Sequence, residues 1–194
     1  MCSDVSANSP DRDAALFAAA AGSPYAEALA RHWLQAAGDR IAPRKSDFRP
    51  ELMGRFLTRV IIYEYENPGV IRFRLAGTYF REIHGRELTG TNFLDLMQGK
   101  DRQNASSRLF GMTGWPCGVH TINTSQHESG HPGEFRSFGL PITDNDGRFV
   151  HSIHVSDFLG DDAGPDPGKI RSMGAISSHW IDIGAGVPAT PPPV

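Results

Sequence analysis

The most specific chemical pattern in the sequence has the spacing of a zinc protease motif. His127, Glu128 and His131 formally match HExxH, in which a helix presents two imidazoles to Zn²⁺ and a glutamate acts as general base. That chemistry requires a helix, whereas the Gly-His-Pro-Gly run at 130–133 follows a strand-like segment and breaks helices. We therefore expect residues 127–131 to form a solvent-facing loop between two strands and not a zinc site.

The other residues that could do chemistry lack partners at a useful spacing. His151 and His154 are three apart in a strand-like segment, so their side chains point to opposite faces. His120 faces either a cavity or the outer surface of a sheet. The run Trp115–Gly118 holds one cysteine, so it is not a dithiol redox motif, and the sequence lacks a nucleophile elbow and a phosphate-binding glycine loop. We predict no catalytic and no metal-binding residues.

A small α+β enzyme is the alternative from another functional class. It would act on a hydrophobic substrate through a buried carboxylate with a raised pKa, and the candidates are Glu82, Asp95 and Asp157. No pair of titratable residues has a spacing that identifies an acid and a base. Helix-capping or surface roles explain these three carboxylates more simply.

Composition indicates one globular domain. The chain has 194 residues, a formal net charge of −3 and an estimated pI of about 6.2, so its overall field does not favour nucleic acid or anionic lipid. The two cysteines, Cys2 and Cys117, do not form a disulfide framework. Neither a secretory leader nor a membrane span is evident. We expect a cytoplasmic protein that binds neither nucleic acid nor a membrane.

One stretch, residues 71–97, changes from a strand pattern to short helical pieces. Ile71, Phe73 and Leu75 share one face of the strand, and arginines alternate with them. Glycines then stop each short helical segment. Several short helices of this kind leave room for a cavity between themselves and a sheet.

The remaining patterns complete an α+β chain order. An Asp-Asn-Asp-Gly turn at 144–147 predicts a hairpin. An antiparallel sheet of five strands with short helices gathered on one face satisfies this order, since hairpins join neighbouring strands and helices cover the apolar face. Besides 71–76, the predicted strands are 59–66, 118–126, 133–142 and 148–158, with a longer helix at 101–110.

Residues 13–50 are predicted to form a helical extension of that core. Pro24 suits the first turn of its second helix, on which Tyr25, Leu29 and Trp33 lie at neighbouring positions. These three residues either pack on their own domain, which is the simpler role, or form a dimer or partner contact. The predicted divisions are a disordered N-terminus (1–12), the helical extension (13–50), the core (51–160), a linker with an added strand or helix near 176–183 (161–186), and a disordered tail (187–194).

Several short motifs keep their order and spacing across roughly residues 30–158. They are His32-Trp33-Leu34, Pro43, Phe48-Arg49-Pro50, the run 74–78 (RLAGT), the run 85–90 (GRELTG) and Leu140-Pro141-Ile142. Each motif is weak by itself. Together they resemble the PAS superfamily, and most closely a bacterial group in which a single PAS domain makes up nearly the whole protein. The resemblance implies a sensor or interaction domain without catalytic residues.

The same resemblance bears on chromophores. PAS domains that bind flavin covalently under light share a cysteine just after Gly-x-Asn, whereas here Gly90-Thr91-Asn92 is followed by Phe93. Haem-binding PAS domains commonly take an axial histidine from the long helix before the third strand, and residues 101–110 contain none. His84 in the preceding helical piece keeps a haem site open, as non-covalent flavin also stays open.

The function that the resemblance implies is a homodimeric sensor or adaptor in bacterial signalling. It would bind a small apolar ligand, a signalling protein, or both, and pass on a changed arrangement of its N-terminal helix. A structural module with a filled core is the third alternative, because aromatic residues and methionine are ordinary core residues. The candidate wall residues are Phe73, Leu75, Phe80, Phe93, Met97, Phe110, Phe138 and Ile153.

Overall fold

The computed structural model describes residues 10–130, 132–159 and 169–194. In these ranges the chain forms α1 (Pro10–Ala20), α2 (Pro24–Ala37), α3 (Thr78–His84) and α4 (Gly99–Gly114), with 3-10 segments at Pro50–Arg59 and Phe93–Leu96. None of the helices in the described ranges is long and apolar enough to cross a membrane.

Six strands of the described residues form one antiparallel sheet. They are β1 (Val60–Asn67), β2 (Val70–Ala76), β3 (Gly118–His127), β4 (Pro132–Ile142), β5 (His151–Phe158) and β6 (Ile170–Ile181), arranged in the order β2-β1-β5-β4-β3-β6. This confirms the α+β antiparallel prediction. The sixth strand is the predicted C-terminal added element, which begins at Ile170 and extends the predicted sheet of five strands by pairing with β3.

Helical layers cover both faces of this sheet. On one face α3, the Phe93–Leu96 turn and α4 pack over an apolar cluster that includes Phe73, Phe80 and Leu109. On the other face α1 and α2 pack over a second cluster that includes Phe138 and Ile153. The short helices lie on one face as predicted, and the N-terminal extension occupies the opposite one.

Helix α2 is fixed to the sheet by its start and by its middle. The Ser23 hydroxyl accepts a hydrogen bond from the Ala26 amide (3.1 Å) and donates to Asp157 of β5 (2.8 Å), which caps the helix and ties it to the sheet. The Trp33 indole Nε1 donates to the Pro141 carbonyl of β4 (2.8 Å). The helix is therefore part of this domain's own core.

That attachment corrects the prediction of a dimer or partner contact for Leu29 and Trp33, whereas the same contact for Tyr25 stays a prediction. Leu29 and Trp33 are both fully buried within the chain, so their side chains cannot reach a partner from the surface of this fold. Tyr25 is half-buried; its ring meets Phe56 edge-on at 5.5 Å between centroids, and the Arg59 guanidinium lies 4.6 Å from its centre. Packing, the simpler role, is the one that the burial supports.

The predicted termini and turns also change in detail. Residues 10–12, expected in a disordered terminus, form the first turn of α1. The tail 187–194, also expected to be disordered, lies against the fold, where Trp180 donates to the Thr190 carbonyl at 2.9 Å. The turn at 144–147 forms as predicted, with Gly147 at a φ of 82°, but β5 begins three residues later than predicted. The predicted linker at 161–168 lies outside the described residues.

Candidate ligand-binding site

A cavity lies between the sheet and the layer formed by α3, the Phe93–Leu96 turn and α4. The space open to the centre of a water molecule measures about 70 Å³. Its apolar wall consists mainly of aromatic and aliphatic side chains from the helices and from strands β1, β3, β4, β5 and β6. These residues are Ile61, Tyr63, Tyr79, Phe80, Ile83, Phe93, Leu109, Val119, Phe135, Phe158, Ile170 and Met173.

The cavity brings together only part of the predicted wall. Phe80 and Phe93 line it, and Met97 lines a smaller adjoining cavity that Phe93 also borders. Phe73 and Phe110 belong to or pack against the apolar cluster on the same side of the sheet, but do not line the cavity.

Three predicted wall residues lie on the opposite side of the sheet. Phe138 and Ile153 belong to the cluster under α1 and α2, and Leu75 packs against it. Side chains alternate along a strand, and the neighbouring Ser137 and His154 line the cavity. Phe138 and Ile153 must therefore point away from it, which corrects their assignment as ligand contacts.

The floor of the cavity is polar, which was not predicted from the sequence. Thr121 and Asn123 of β3, Ser137 of β4 and Ser156 of β5 all line the space. Ser137 and Ser156 are directly paired across β4 and β5, so two hydroxyl groups stand side by side. The available signal was the composition of β3, GVHTINTSQH, in which Val119 and Ile122 are the only large apolar residues, so neither face of the strand is simply core.

His154 is the most deeply buried polar residue in the floor. The Tyr65 hydroxyl donates to Ser152 Oγ, and Ser152 Oγ lies 2.8 Å from His154 Nε2. Burial, followed by the positive charge of Arg108, lowers the pKa of His154 to about 3. His154 is therefore a neutral imidazole at physiological pH. His151 lies on the other face, as predicted.

Gly139 makes room for that imidazole. It is the cross-strand partner of His154, and a Cβ at this position would overlap the His154 ring. Gly139→Ala should therefore lower the free energy of unfolding by about 1–3 kcal/mol, because the ring must leave its place. Urea unfolding measures this, with Gly114→Ala as the control, since nothing lies within 4 Å of a Cβ there. Equal stabilities of the two variants would contradict this placement of His154.

His84, the last residue of α3, lines the same cavity. Burial is the main cause that lowers its pKa to about 4, with the charge of Arg86 acting in the same direction. It is therefore a neutral imidazole with the chemistry of a haem ligand. The cavity of about 70 Å³ is much smaller than the roughly 300 Å³ or more of a typical cofactor site, so a haem or flavin ring would require the walls to move apart.

The position expected for a photochemical cysteine contributes an aromatic ring. Phe93 lines the cavity, with its ring centroid 4.8 Å from that of Tyr63. Cys117 is fully buried in the neighbouring apolar cluster, and burial raises the pKa of its thiol to about 12. The described lining residues thus offer no thiol for an adduct with flavin.

Arg108 is a further lining residue that the sequence did not predict. It lies on α4 with 7% of its surface exposed and lines both the main cavity and the smaller adjoining one. Burial lowers its pKa to about 10, so the guanidinium is still charged at neutral pH. A sequence signal was available: Arg108 shares the buried face of α4 with Ala105, Leu109 and Met112, at spacings that normally hold apolar residues.

The zinc protease pattern does not form the helix that its chemistry requires. His127 is the last residue of β3, and residues 128–130 form an exposed turn, as predicted. His127 itself is buried, with Nε2 3.1 Å from Ser125 Oγ. His131 lies outside the described residues. No group of three or more His, Cys, Asp and Glu side chains in the described ranges is placed to hold a metal ion.

The carboxylates proposed for the alternative enzyme have structural or surface positions. Glu82 is exposed, and Asp95 pairs with Arg102 at 3.0 Å on the surface. Asp157 is buried, but accepts from Ser23 and lies 3.1 Å from Arg136 Nε. None of the three is among the described residues that line the main cavity, so these observations give the enzyme alternative no support.

Comparison with known proteins identifies the family. The model of a PAS domain family matches residues 22–153, and no curated protein matches the chain. One similar solved structure is the LOV protein of Rhodobacter sphaeroides, with 14% identity, coverage of 55% of this chain and 61% of that chain, and a TM-score of 0.43. A second is the light state of Aureochrome1 LOV, with 15% identity, coverage of 54% of this chain and 84% of that chain, and a TM-score of 0.42. A third is the VqmA dimer of Vibrio cholerae, with 14% identity, coverage of 58% of this chain and 51% of that chain, and a TM-score of 0.43. Because the family match covers well over half of its length, the chain belongs to the PAS domain family.

Proposed function

We propose that this PAS domain is a sensor that binds one small ligand in the cavity between the sheet and helices α3 and α4. The PAS fold supports a sensory or interaction domain. The observation that favours a ligand over a filled core is the cavity itself, since native interiors have few voids larger than a water molecule. Here space of about 70 Å³ has been left on the face of the sheet covered by α3 and α4, beside the apolar cluster of that face.

The lining has the composition of a small-molecule site. Such sites combine a mostly apolar wall with a few placed polar groups that orient the ligand. Phe80 and Phe93 belong to the apolar wall of the cavity. The paired hydroxyl groups of Ser137 and Ser156 are polar groups that could orient a ligand. A ligand with an apolar body and a polar end fits this division better than a wholly apolar one.

The output of the sensor would be a changed contact with a signalling protein. Ligand binding would favour one arrangement of the helices over the cavity, as in any population shift between two conformations. Since Leu29 and Trp33 are buried, the contact would use a surface other than those side chains. A homodimer in the bacterial cytoplasm, as the resemblance implied, stays part of this proposal.

A cavity-filling variant tests the proposal. Ser137→Leu should place a branched apolar side chain in the cavity and weaken binding of any ligand by at least about tenfold, or about 1.4 kcal/mol. The control is Thr124→Leu on β3, because Thr121 and Asn123 face the cavity and Thr124 therefore faces away. Native mass spectrometry of each purified variant, with a thermal-shift screen of small aromatic compounds, provides the measurement.

The controls separate the outcomes of that screen. Compounds that stabilise the wild type and Thr124→Leu but not Ser137→Leu would support the site. Compounds that stabilise all three proteins equally would place binding elsewhere. If no compound binds and none is carried through purification, the sensor proposal fails in favour of a pure interaction domain.

A further inference from the structure

The guanidinium of Arg108 is a buried charge without an ionic partner in the described part of the chain. One hydrogen bond is found for it there, from Nη1 to the Pro193 carbonyl oxygen, although a guanidinium carries five N–H donors. No carboxylate of a described residue lies within 4.0 Å of it. Asp101 acts on it only from a longer distance and is itself exposed.

Burial of such a charge is costly. Arginine is almost never this buried unless it is paired, because desolvation of a charge is expensive. The Pro193 carbonyl is a neutral acceptor, and Asp101, which also lines the smaller cavity, offsets only part of this cost from a longer distance. The side chain nevertheless lines both cavities, at the place where they adjoin.

The rest of the cavity is electrically neutral. His84 and His154, the other titratable bases of the lining, are uncharged at neutral pH because burial disfavours their charged forms. Tyr63 is a neutral phenol, since burial raises its pKa well above the usual value against the opposing effect of Arg108. The described lining of the main cavity contains no Asp or Glu. Arg108 thus contributes the one positive charge to the described lining of the main cavity, while Asp101 lies on the side of the smaller cavity.

We propose that the ligand is a small monocarboxylate, whose carboxylate pairs with the Arg108 guanidinium while its apolar body packs against the aromatic wall. This inference rests on the proposed sensor function and names the class of ligand. A carboxylate matches the planar fork of a guanidinium through two parallel hydrogen bonds. The single negative charge of the carboxylate equals the single positive charge of the main cavity's described lining. Tyr63 lies close enough to Arg108 for each residue to affect the pKa of the other.

The charge and the size of the cavity narrow the class of ligand that it can bind. A phosphate monoester carries close to two negative charges and would leave about one of them uncompensated in this space, so a carboxylate is favoured. The apolar body must be small: a dry cavity of roughly 150 Å³ accepts benzene, whereas this one offers about 70 Å³. With a modest outward movement of the walls, the largest ligand that the cavity would admit is an aromatic acid the size of benzoate or a short aliphatic acid.

The test compares a charged probe with its neutral isostere. Benzoate and benzamide have nearly the same shape, and butyrate and butyramide form a second pair. Isothermal titration and thermal shift would be measured on wild type, Arg108→Met and Arg108→Lys, with Arg171→Met as the charge-matched control because Arg171 is exposed. We expect wild type and Arg171→Met to bind one acid of these pairs about tenfold more tightly than its amide, and Arg108→Met to bind that acid about 30-fold more weakly.

Arg108→Lys should fall between these values, because it keeps the charge and loses the fork. The unliganded Arg108→Met protein should have a melting temperature no lower than that of wild type. If Arg108 had a purely structural role, its replacement would lower the melting temperature. Acid binding that Arg108→Met leaves unchanged would overturn the inference. Tighter binding of the amides, or of inorganic phosphate, would overturn it while the sensor proposal stands. If none of these probes binds while larger neutral compounds protect wild type but not Ser137→Leu, the monocarboxylate is likewise wrong and the cavity still binds a ligand.

Discussion

Replacing Trp33 by alanine should lower the free energy of unfolding by about 3–5 kcal/mol, the usual cost of deleting a large buried aromatic side chain. Trp33 is fully buried in the cluster between α2 and the sheet, and its indole donates to the Pro141 carbonyl at 2.8 Å. The variant therefore leaves both a void and an unpaired carbonyl. Urea unfolding followed by circular dichroism gives the measurement.

Two further variants make this result decisive. Trp115→Ala is the matched control, because Trp115 is 47% exposed and its removal should cost much less. Trp33→Phe keeps most of the packing and should still lose about 1–2 kcal/mol, which provides a value if the alanine variant fails to fold. A Trp33→Ala protein of wild-type stability with an altered oligomeric state would instead show that Trp33 is a partner contact.

Lowering the pH from 7 to 5 should destabilise the protein by about 4 kcal/mol. Burial lowers the pKa of His154 to about 3 and of His84 to about 4, from about 6.5 in an unfolded chain. Between these values the unfolded state binds protons that the folded state does not, so stability falls as the pH falls. pH 5 lies about 1.5 units below the pKa of an unfolded-state histidine, so each of the two residues lowers the free energy of unfolding there by about 2 kcal/mol.

The sign of this effect is opposite to that of a salt-bridged histidine. The contribution is complete above about pH 6.5 and is lost towards the lowered pKa values of His154 and His84. The pKa values of His32, His120 and His151 are also lowered, mainly by burial, so they add in the same direction. Urea unfolding at several pH values measures the slope.

Glutamine substitutions test whether the two cavity histidines cause this pH dependence of the free energy of unfolding. His84→Gln and His154→Gln should each remove about 2 kcal/mol of the difference in stability between pH 7 and pH 5, whatever they cost at pH 7. Gln103→Ala, at an exposed position without a titrating group, should leave the difference unchanged. An unaltered slope in both cavity variants would mean that these imidazoles are hydrated and not buried in the lining of the cavity.

The order of elements could be predicted because each one has a local cause. The alternation at 71–76 and the Asp-Gly turn at 144–147 specify their structures from neighbouring residues alone. Strand β6 was harder, since its sequence IRSMGAISSHWI mixes small and polar residues without a clear period. It becomes a strand through pairing with β3, which is a tertiary effect.

The wall of the cavity could be predicted only in part, because hydrophobicity does not tell which face of a strand a residue occupies. Phe138 is a larger apolar residue than Ser137, yet Ser137 lines the cavity and Phe138 packs under α2. Both faces of the central strands are covered, so apolar residues occur on both and the period alone does not identify the cavity side. The position of the N-terminal helices, which no local pattern specifies, decides that assignment.

Arg108 shows a different limit. Its spacing from Ala105 and Met112 places it on the apolar face of α4, which is visible in the sequence as an exception to the pattern. What the sequence cannot show is whether such an arginine extends to the surface or, as here, stays at the boundary of a cavity. Exceptions of this kind are where function is expected to override local rules.

The central claim is that the space beneath α3 and α4 binds a small molecule, and the methionine methyl groups test it directly. Met173 lines both cavities, whereas Met53 is buried in the cluster on the opposite face of the sheet. In protein carrying ¹³C-methyl methionine, titration with benzoate and with a set of small neutral aromatic compounds should shift the Met173 resonance at ligand concentrations that leave Met53 unmoved. A titration in which Met173 never responds, or in which Met53 responds equally, would contradict the claim.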